Sequence, residues 1–225
     1  MVSTRQFVSP VPIVGAKLPR RSIFVRASAP GKCDTSLEDS VALLKQAANT
    51  KSVPGRQVFA ALRALEKASV PDPSWPEIVG GRNSPGNRWQ LVFTTGTKQV
   101  RDALKGKEGG GNYFPITAAQ RWDASTGTIE NGIYLGLIAA LTFSGPYEYV
   151  GKKLSFDFDK LKLKLGPWSF EFGLKDEIKN YKGGKSDPFF VIFYVDEDII
   201  CARGRGGGIA FWARTDRDFD LKHLI

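Results

Sequence analysis

Histidine occurs once in the 225 residues, at His223, and cysteine twice, at Cys33 and Cys201. With the one imidazole at the C-terminal end, histidine-based triads and multi-histidine metal sites drop out of consideration. Two cysteines far apart and in unlike contexts read as free thiols of a reducing compartment. No apolar run approaches the ~20 residues that span a bilayer as a helix. The longest, residues 132–143, is shorter and is interrupted by Gly136. Acidic residues are missing altogether before Asp34. That lack inflates the formal net charge of +9. Residues 1–27 hold Arg5, Lys17, Arg20, Arg21 and Arg26; taking these five from 32 leaves 27 basic against 23 acidic side chains. A surplus of four gives a mild preference for anionic surfaces, not a nucleic-acid footprint.

What residues 1–27 do contain is Ser, Thr, Val, Pro and basic residues, the composition of an organelle transit peptide, without the apolar block of a secretory signal. Val25-Arg26-Ala27-Ser28 resembles a chloroplast processing site cleaved after Ala27. Mitochondrial import is the nearer competitor, and the prolines at 10, 12 and 19 weigh against it. A plain basic tail is the remaining alternative. Beyond residue 27, apolar residues at helical spacing predict helices over 36–49 and 56–68. Thr35 or Ser36 can cap the first, with Glu38 and Asp39 in its first turn. Val53-Pro54-Gly55 separates the two into a helical hairpin, expected to plug or cover one end of a barrel built from the later strands. Residues 70–76 read as a proline-rich linker, 80–87 as loop, and 96–111 as a basic, Gly-rich loop at the barrel mouth with a short helix in its first half.

From residue 88 onward the pattern is strand. In β-period, Trp89, Leu91 and Phe93 share one face. Residues 116–122 and 128–135 form a hairpin around Ser125-Thr126-Gly127. Gly136 to Ser144 continues as a strand that Pro146-Tyr147 ends. Segment 150–157 alternates, and 161–165 and 168–172 do so strictly, as half-buried strands with a wet outer face do. Lys152, Lys153, Lys160, Lys162 and Lys164 make a basic stripe, either a solvated edge or a face for anionic lipid. Near the C-terminus, residues 189–195, 199–203 and 209–213 give three strands joined by the acidic turn Asp196-Glu197-Asp198 and the glycine turn 204–208. With eight to ten strands in all, the chain is expected to be mainly β: a lipocalin-like antiparallel β-barrel preceded by an N-terminal helical hairpin. The expected divisions are a transit peptide at 1–27, a helical region at 28–75, the barrel at 76–215 and a tail at 216–225.

Two stretches carry a resemblance. Tyr194-x-Asp196-Glu197-Asp198 followed by Arg203-Gly204 and an apolar strand, and the early strand Arg88-Trp89-Gln90-Leu91-Val92-Phe93-Thr94-Thr95, resemble the plastid-lipid-associated protein (fibrillin) family over about residues 36–214. Phe93 stands where that family usually has Tyr, and Arg205 where an acidic or polar residue is common. The resemblance implies a chloroplast protein of plastoglobules or thylakoids. Such a protein binds or shields a prenylquinone, tocopherol, carotenoid or acyl lipid, with peripheral membrane contact and no cofactor. It also marks Tyr194, Asp196, Asp198, Arg203 and Gly204 as characteristic without saying what they do.

The residues themselves allow a narrower statement. Trp89, Phe93, Trp122, Tyr134, Phe143, Phe156, Phe158, Trp168, Phe170, Phe193 and Trp212 are candidates for an apolar interior, which is either plain packed core or a hydrophobic cavity. Asp196-Glu197-Asp198 reads as a turn in which Asp196 or Asp198 accepts backbone N–H groups, with Arg203 pairing across the hairpin. Adjacent carboxylates rarely converge, so neither catalysis nor a metal is expected there. Gly204 to Gly208 lacks the following helix that a phosphate loop needs. The expectation is a lipid carrier or structural protein, not an enzyme. The alternative is an enzyme or accessory subunit in plastid isoprenoid-lipid synthesis.

Overall fold

Ser36 opens the first helix as the capping rules require. Its side chain accepts the Asp39 N–H while the Asp39 carboxylate accepts the Ser36 N–H, a reciprocal capping box. The computed structural model describes residues 36–68, 75–80, 87–106, 109–216 and 218–223. The transit-peptide reading and Cys33 fall outside these. Helices α1 (Leu37–Thr50) and α2 (Gly55–Ala68) form the expected hairpin, and α3 (Trp75–Ile78) comes next. Then come β1 (Arg88–Thr94), α4 (Thr97–Leu104), β2 (Asn112–Tyr113), β3 (Thr117–Asp123), β4 (Thr128–Leu135) and β5 (Ala139–Val150). The chain continues through β6 (Lys153–Phe156), β7 (Lys160–Leu165), β8 (Trp168–Gly173) and β9 (Phe189–Val195). It closes with β10 (Ile199–Gly204), β11 (Ile209–Arg214) and α5 (Phe219–Lys222).

Eight of the strands make a closed barrel. In chain order β1, β3, β4, β5, β6, β9, β10 and β11 each pair antiparallel with the next, and β11 returns to pair with β1. This is the up-and-down antiparallel barrel that the alternation and turn spacing predict. Two features depart from a plain meander. The short β2 pairs beside β1. The hairpin β7–β8, inserted between β6 and β9, hangs from the first half of β5, whereas β6 occupies the second half of the same edge. We call this hairpin the wing. Pro146 therefore does not end a strand. It sits where β5 changes neighbours from β7 to β6, and β5 runs on to Val150. Gly136, at φ +57, belongs instead to the turn before β5.

Two cores lie back to back across the sheet. The interior packs Trp89, Trp122, Ile129, Leu154, Phe156, Ile192, Ile200 and Trp212. The outer core sets Leu44, Ala47, Val58, Phe59, Leu62 and Leu65 of α1 and α2 against Val92, Phe93, Phe193, Cys201, Ile209 and Phe211. Each fully buried side chain of this size contributes roughly 1.5–3 kcal/mol. The helical hairpin thus covers a wall of the barrel, not an end. What enters the interior is α3 and the residue after it: Trp75, in the stretch that reads as a linker, and Val79 are buried in the inner core. The basic segment after β1 likewise forms α4, whose Val100 packs in the outer core rather than standing at the mouth.

A candidate ligand-binding barrel and its open wing

The interior is an aromatic relay. Trp75 stacks on Tyr149 with ring centroids 5.1 Å apart and meets Trp122 edge-on at 5.3 Å. Trp122 meets Trp212 at 6.4 Å, and Trp212 meets Phe190 at 5.2 Å. Phe190 stacks on Phe156 at 5.5 Å, Phe156 touches Phe158 at 5.4 Å, and Phe158 reaches Phe143 at 5.8 Å. These edge-to-face and offset arrangements are the favoured ones for aromatic rings. The path starts at α3, against Tyr149 near the end of β5. It finishes at Phe143 in the half of β5 that carries the wing.

There the apolar surface runs into the open. Register places Phe143 beside Leu161 and Leu161 beside Phe172; Leu141, Leu163 and Phe170 make the next row, and Ala139, Leu165 and Trp168 the last. All stand on the face that continues the barrel interior, because paired residues point to the same side of a sheet. Their exposure is high: Trp168 67%, Phe170 47% and Phe172 51%. The two turns at this end, 136–138 and 166–167, lie side by side, joined by the Gly166 N–H donating to the Ile138 carbonyl at 2.9 Å. They present Leu137 and Ile138 at 62% and 76% exposure beside Trp168. The opposite face of the wing carries Lys160, Lys162, Lys164, Ser169 and Glu171. A contiguous exposed apolar patch of this kind marks an interaction surface.

The eleven interior candidates divide by location. Trp89, Trp122, Phe156 and Trp212 are buried inside, with Phe143 and Phe158 partly buried along the relay. Trp168 and Phe170 stand exposed on the wing, so β8 is wet on both faces rather than half-buried. Phe93 and Phe193 lie in the outer core under the helices. For Phe93 the reason is a bulge: Leu91 pairs with Trp212 but Phe93 with Phe211, so Val92 is an extra residue and Phe93 changes sides. Tyr134 also faces outward, packed against Phe219 of α5, and its hydroxyl accepts from the buried Arg88 guanidinium at 2.9 Å. Arg88 is further held by Glu130 and Asp220, each at 2.6 Å. Within the expected tail, α5 is thereby docked on the barrel through Phe219. Sequence reasoning missed Trp75, Tyr149 and Phe190, which complete the relay; the tryptophan among prolines was their one visible signal.

The characteristic residues near the C-terminus are structural clamps. Asp196 accepts the N–H groups of Asp198 and Ile199, both at 2.8 Å, and the Tyr194 hydroxyl at 3.0 Å. Lys45 of α1 bridges Asp196 at 3.0 Å and Asp198 at 2.7 Å. Burial works against the charge on Asp196, but the two amides, Lys45 and Tyr194 outweigh it and hold the carboxyl below its ordinary range. Arg203 does not pair across the hairpin. Its guanidinium grips both carboxylate oxygens of Glu66 in α2 and donates to the Gly207 carbonyl, while Gly204 closes the turn by donating to the Gly208 carbonyl at 2.9 Å. The motif therefore pins the helical hairpin to the strand turns. Burial pushes the Cys201 thiol up, and pushes the interior Tyr147 hydroxyl up to about 12, so neither is ionised near neutrality. No helix among the described residues is long and apolar enough to cross a membrane.

No protein-family model matches the chain, and no curated protein does. Among solved structures, the NMR structure of a protein from Burkholderia xenovorans is similar. It is 14% identical, covers 66% of this chain and 93% of its own, and has a TM-score of 0.32. The barrel assignment rests on the strand pairings themselves.

Proposed function

We propose that this protein binds an apolar small molecule and works at a lipid surface, as a carrier or shield and not as an enzyme. The observation that carries this reading is the wing, whose exposed apolar face continues the aromatic interior of the barrel without a break. Molecules leaving a lipid phase would meet Leu137, Ile138 and Trp168 first and pass along Phe170 and Phe172 toward Phe143. Lysines on the reverse of the wing favour an anionic surface, at roughly 1 kcal/mol for each that lies close. The two resembling motifs and the N-terminal composition support a plastid setting, with plastoglobules or thylakoids as the surface and an isoprenoid or acyl lipid as the molecule. A carrier also suits the chemistry, since Cys201 is sealed in the outer core and neither it nor Tyr147 is ionised near neutrality.

Flotation with vesicles of neutral and anionic plastid-type lipid tests the reading. The triple variant Trp168→Ser, Phe170→Ser, Phe172→Ser should lose at least about tenfold in lipid-bound fraction. Its melting temperature should hold, because exposed substitutions typically stay within ~0.5 kcal/mol. Equal flotation of variant and wild type, or no flotation of either, would overturn the wing's role. A wing held by a protein instead would show as a stable complex that the same variant breaks.

A further inference from the structure

Four tryptophans line the inner core, yet only one has its indole N–H satisfied: Trp89 donates to the Val79 carbonyl at 3.4 Å. The Nε1 groups of Trp75, Trp122 and Trp212 are buried without an acceptor, and these residues are only 1%, 1% and 2% exposed. Gln120 adds a buried amide oxygen without a donor, and it stands two residues from Trp122 on the same face of β3. Buried donors left unpaired are costly, and phenylalanine would fill a dry aromatic core without that cost. The three indoles are neighbours, linked ring to ring through Trp122. In the same core, the directly paired Ala202 and Ala210 present small side chains.

We propose that this cluster is a head-group site: Trp75, Trp122 and Trp212 donate hydrogen bonds to a ligand's carbonyl oxygens, and Gln120 accepts from a hydroxyl where one is present. The inference rests on the proposed ligand-binding barrel and narrows it. The preferred ligand is an apolar molecule whose buried end carries carbonyl or hydroxy-carbonyl groups, such as a quinone or a ring ketone. Its hydrocarbon tail points toward Phe143 and the wing. An all-hydrocarbon molecule leaves every one of these donors unpaired. Each carbonyl oxygen has two lone pairs, so two of them can serve three indoles.

The test compares decyl-1,4-benzoquinone with decylbenzene, which share ring and tail, by calorimetry on the full chain. The quinone should bind at least about tenfold tighter, the worth of one net hydrogen bond. Trp75→Phe, Trp122→Phe and Trp212→Phe, made singly, should each cut that preference while leaving decylbenzene affinity within about twofold. On the unsubstituted protein, indole-¹⁵N spectra should show the Trp75, Trp122 and Trp212 signals moving with quinone and the Trp89 signal staying. That readout needs no variant to fold. Equal binding of both probes, or a preference that survives all three substitutions, would overturn the head-group site and leave a plain apolar barrel. Binding of neither probe would overturn the barrel reading itself, and this site with it.

Discussion

Asp196 shows how much one side chain does here. Its carboxylate ties the β9–β10 turn to itself and, through Lys45, to α1. Its folded pKa lies below the ordinary value, so its contribution to stability is complete above that value and fades as pH falls through the folded one. Asp196→Asn should therefore cost about 1 kcal/mol at pH 7, allowing for its partial exposure. The gap between the two melting curves should close below about pH 4. A gap independent of pH would show that the hydrogen bonds, not the charge, matter. Cys201 gives a second check. In a Cys33→Ser background, iodoacetamide at pH 8 should label it only at the rate at which the chain opens, and immediately in denaturant. The Asp196 turn was legible in the sequence because an Asx turn is local. The partner of Arg203 was not, because Glu66 lies 137 residues away and no local rule reaches that far.

At the scale of elements, α1 was the most legible, since its cap and first turn are written within four residues. Ser36→Ala should lower the melting temperature by the equivalent of ~1 kcal/mol, the usual worth of a capping side chain. The wing was half legible. Strict alternation in β7 and β8 fixed strands and faces correctly, but alternation says which residues share a side, not whether anything covers that side. Because the eight barrel strands close without β7 and β8, replacing residues 159–174 by a short turn should leave a folded barrel by circular dichroism. A collapse of near-ultraviolet signal in that variant would mean that the wing is needed to hold β5. The short α3 was not legible as a helix. Its tryptophan sits in a proline-rich stretch with no periodicity, and only tertiary packing reveals that it belongs to the interior.

At the largest scale, the described residues form a single sheet used on both sides, aromatic within and covered by a helix pair without. Trp75 bridges from outside the sheet to its centre. Trp75→Ala should cost ~3–5 kcal/mol, as for any large buried aromatic, and should expose Trp122 to acrylamide quenching. The mainly β class and the barrel were readable from period and turn spacing. Which wall faces in was not, because period 2 is blind to an inserted residue, and two strands under the helices carry one: Val92 in β1 and Phe193 in β9. The same insertion bears on how the gene can change. Loss of Gln90 would send Arg88 and Trp89 to the wrong sides of the sheet, as loss of a residue in any regular strand does. Loss of Val92 would straighten β1 and remove one side chain from the outer core, but leave Leu91 opposite Trp212 and Phe93 opposite Phe211. A three-nucleotide deletion thus costs one core side chain at Val92 but the facing of the strand two codons earlier. Length differences among descendants of this sequence are expected at that codon and in the turns.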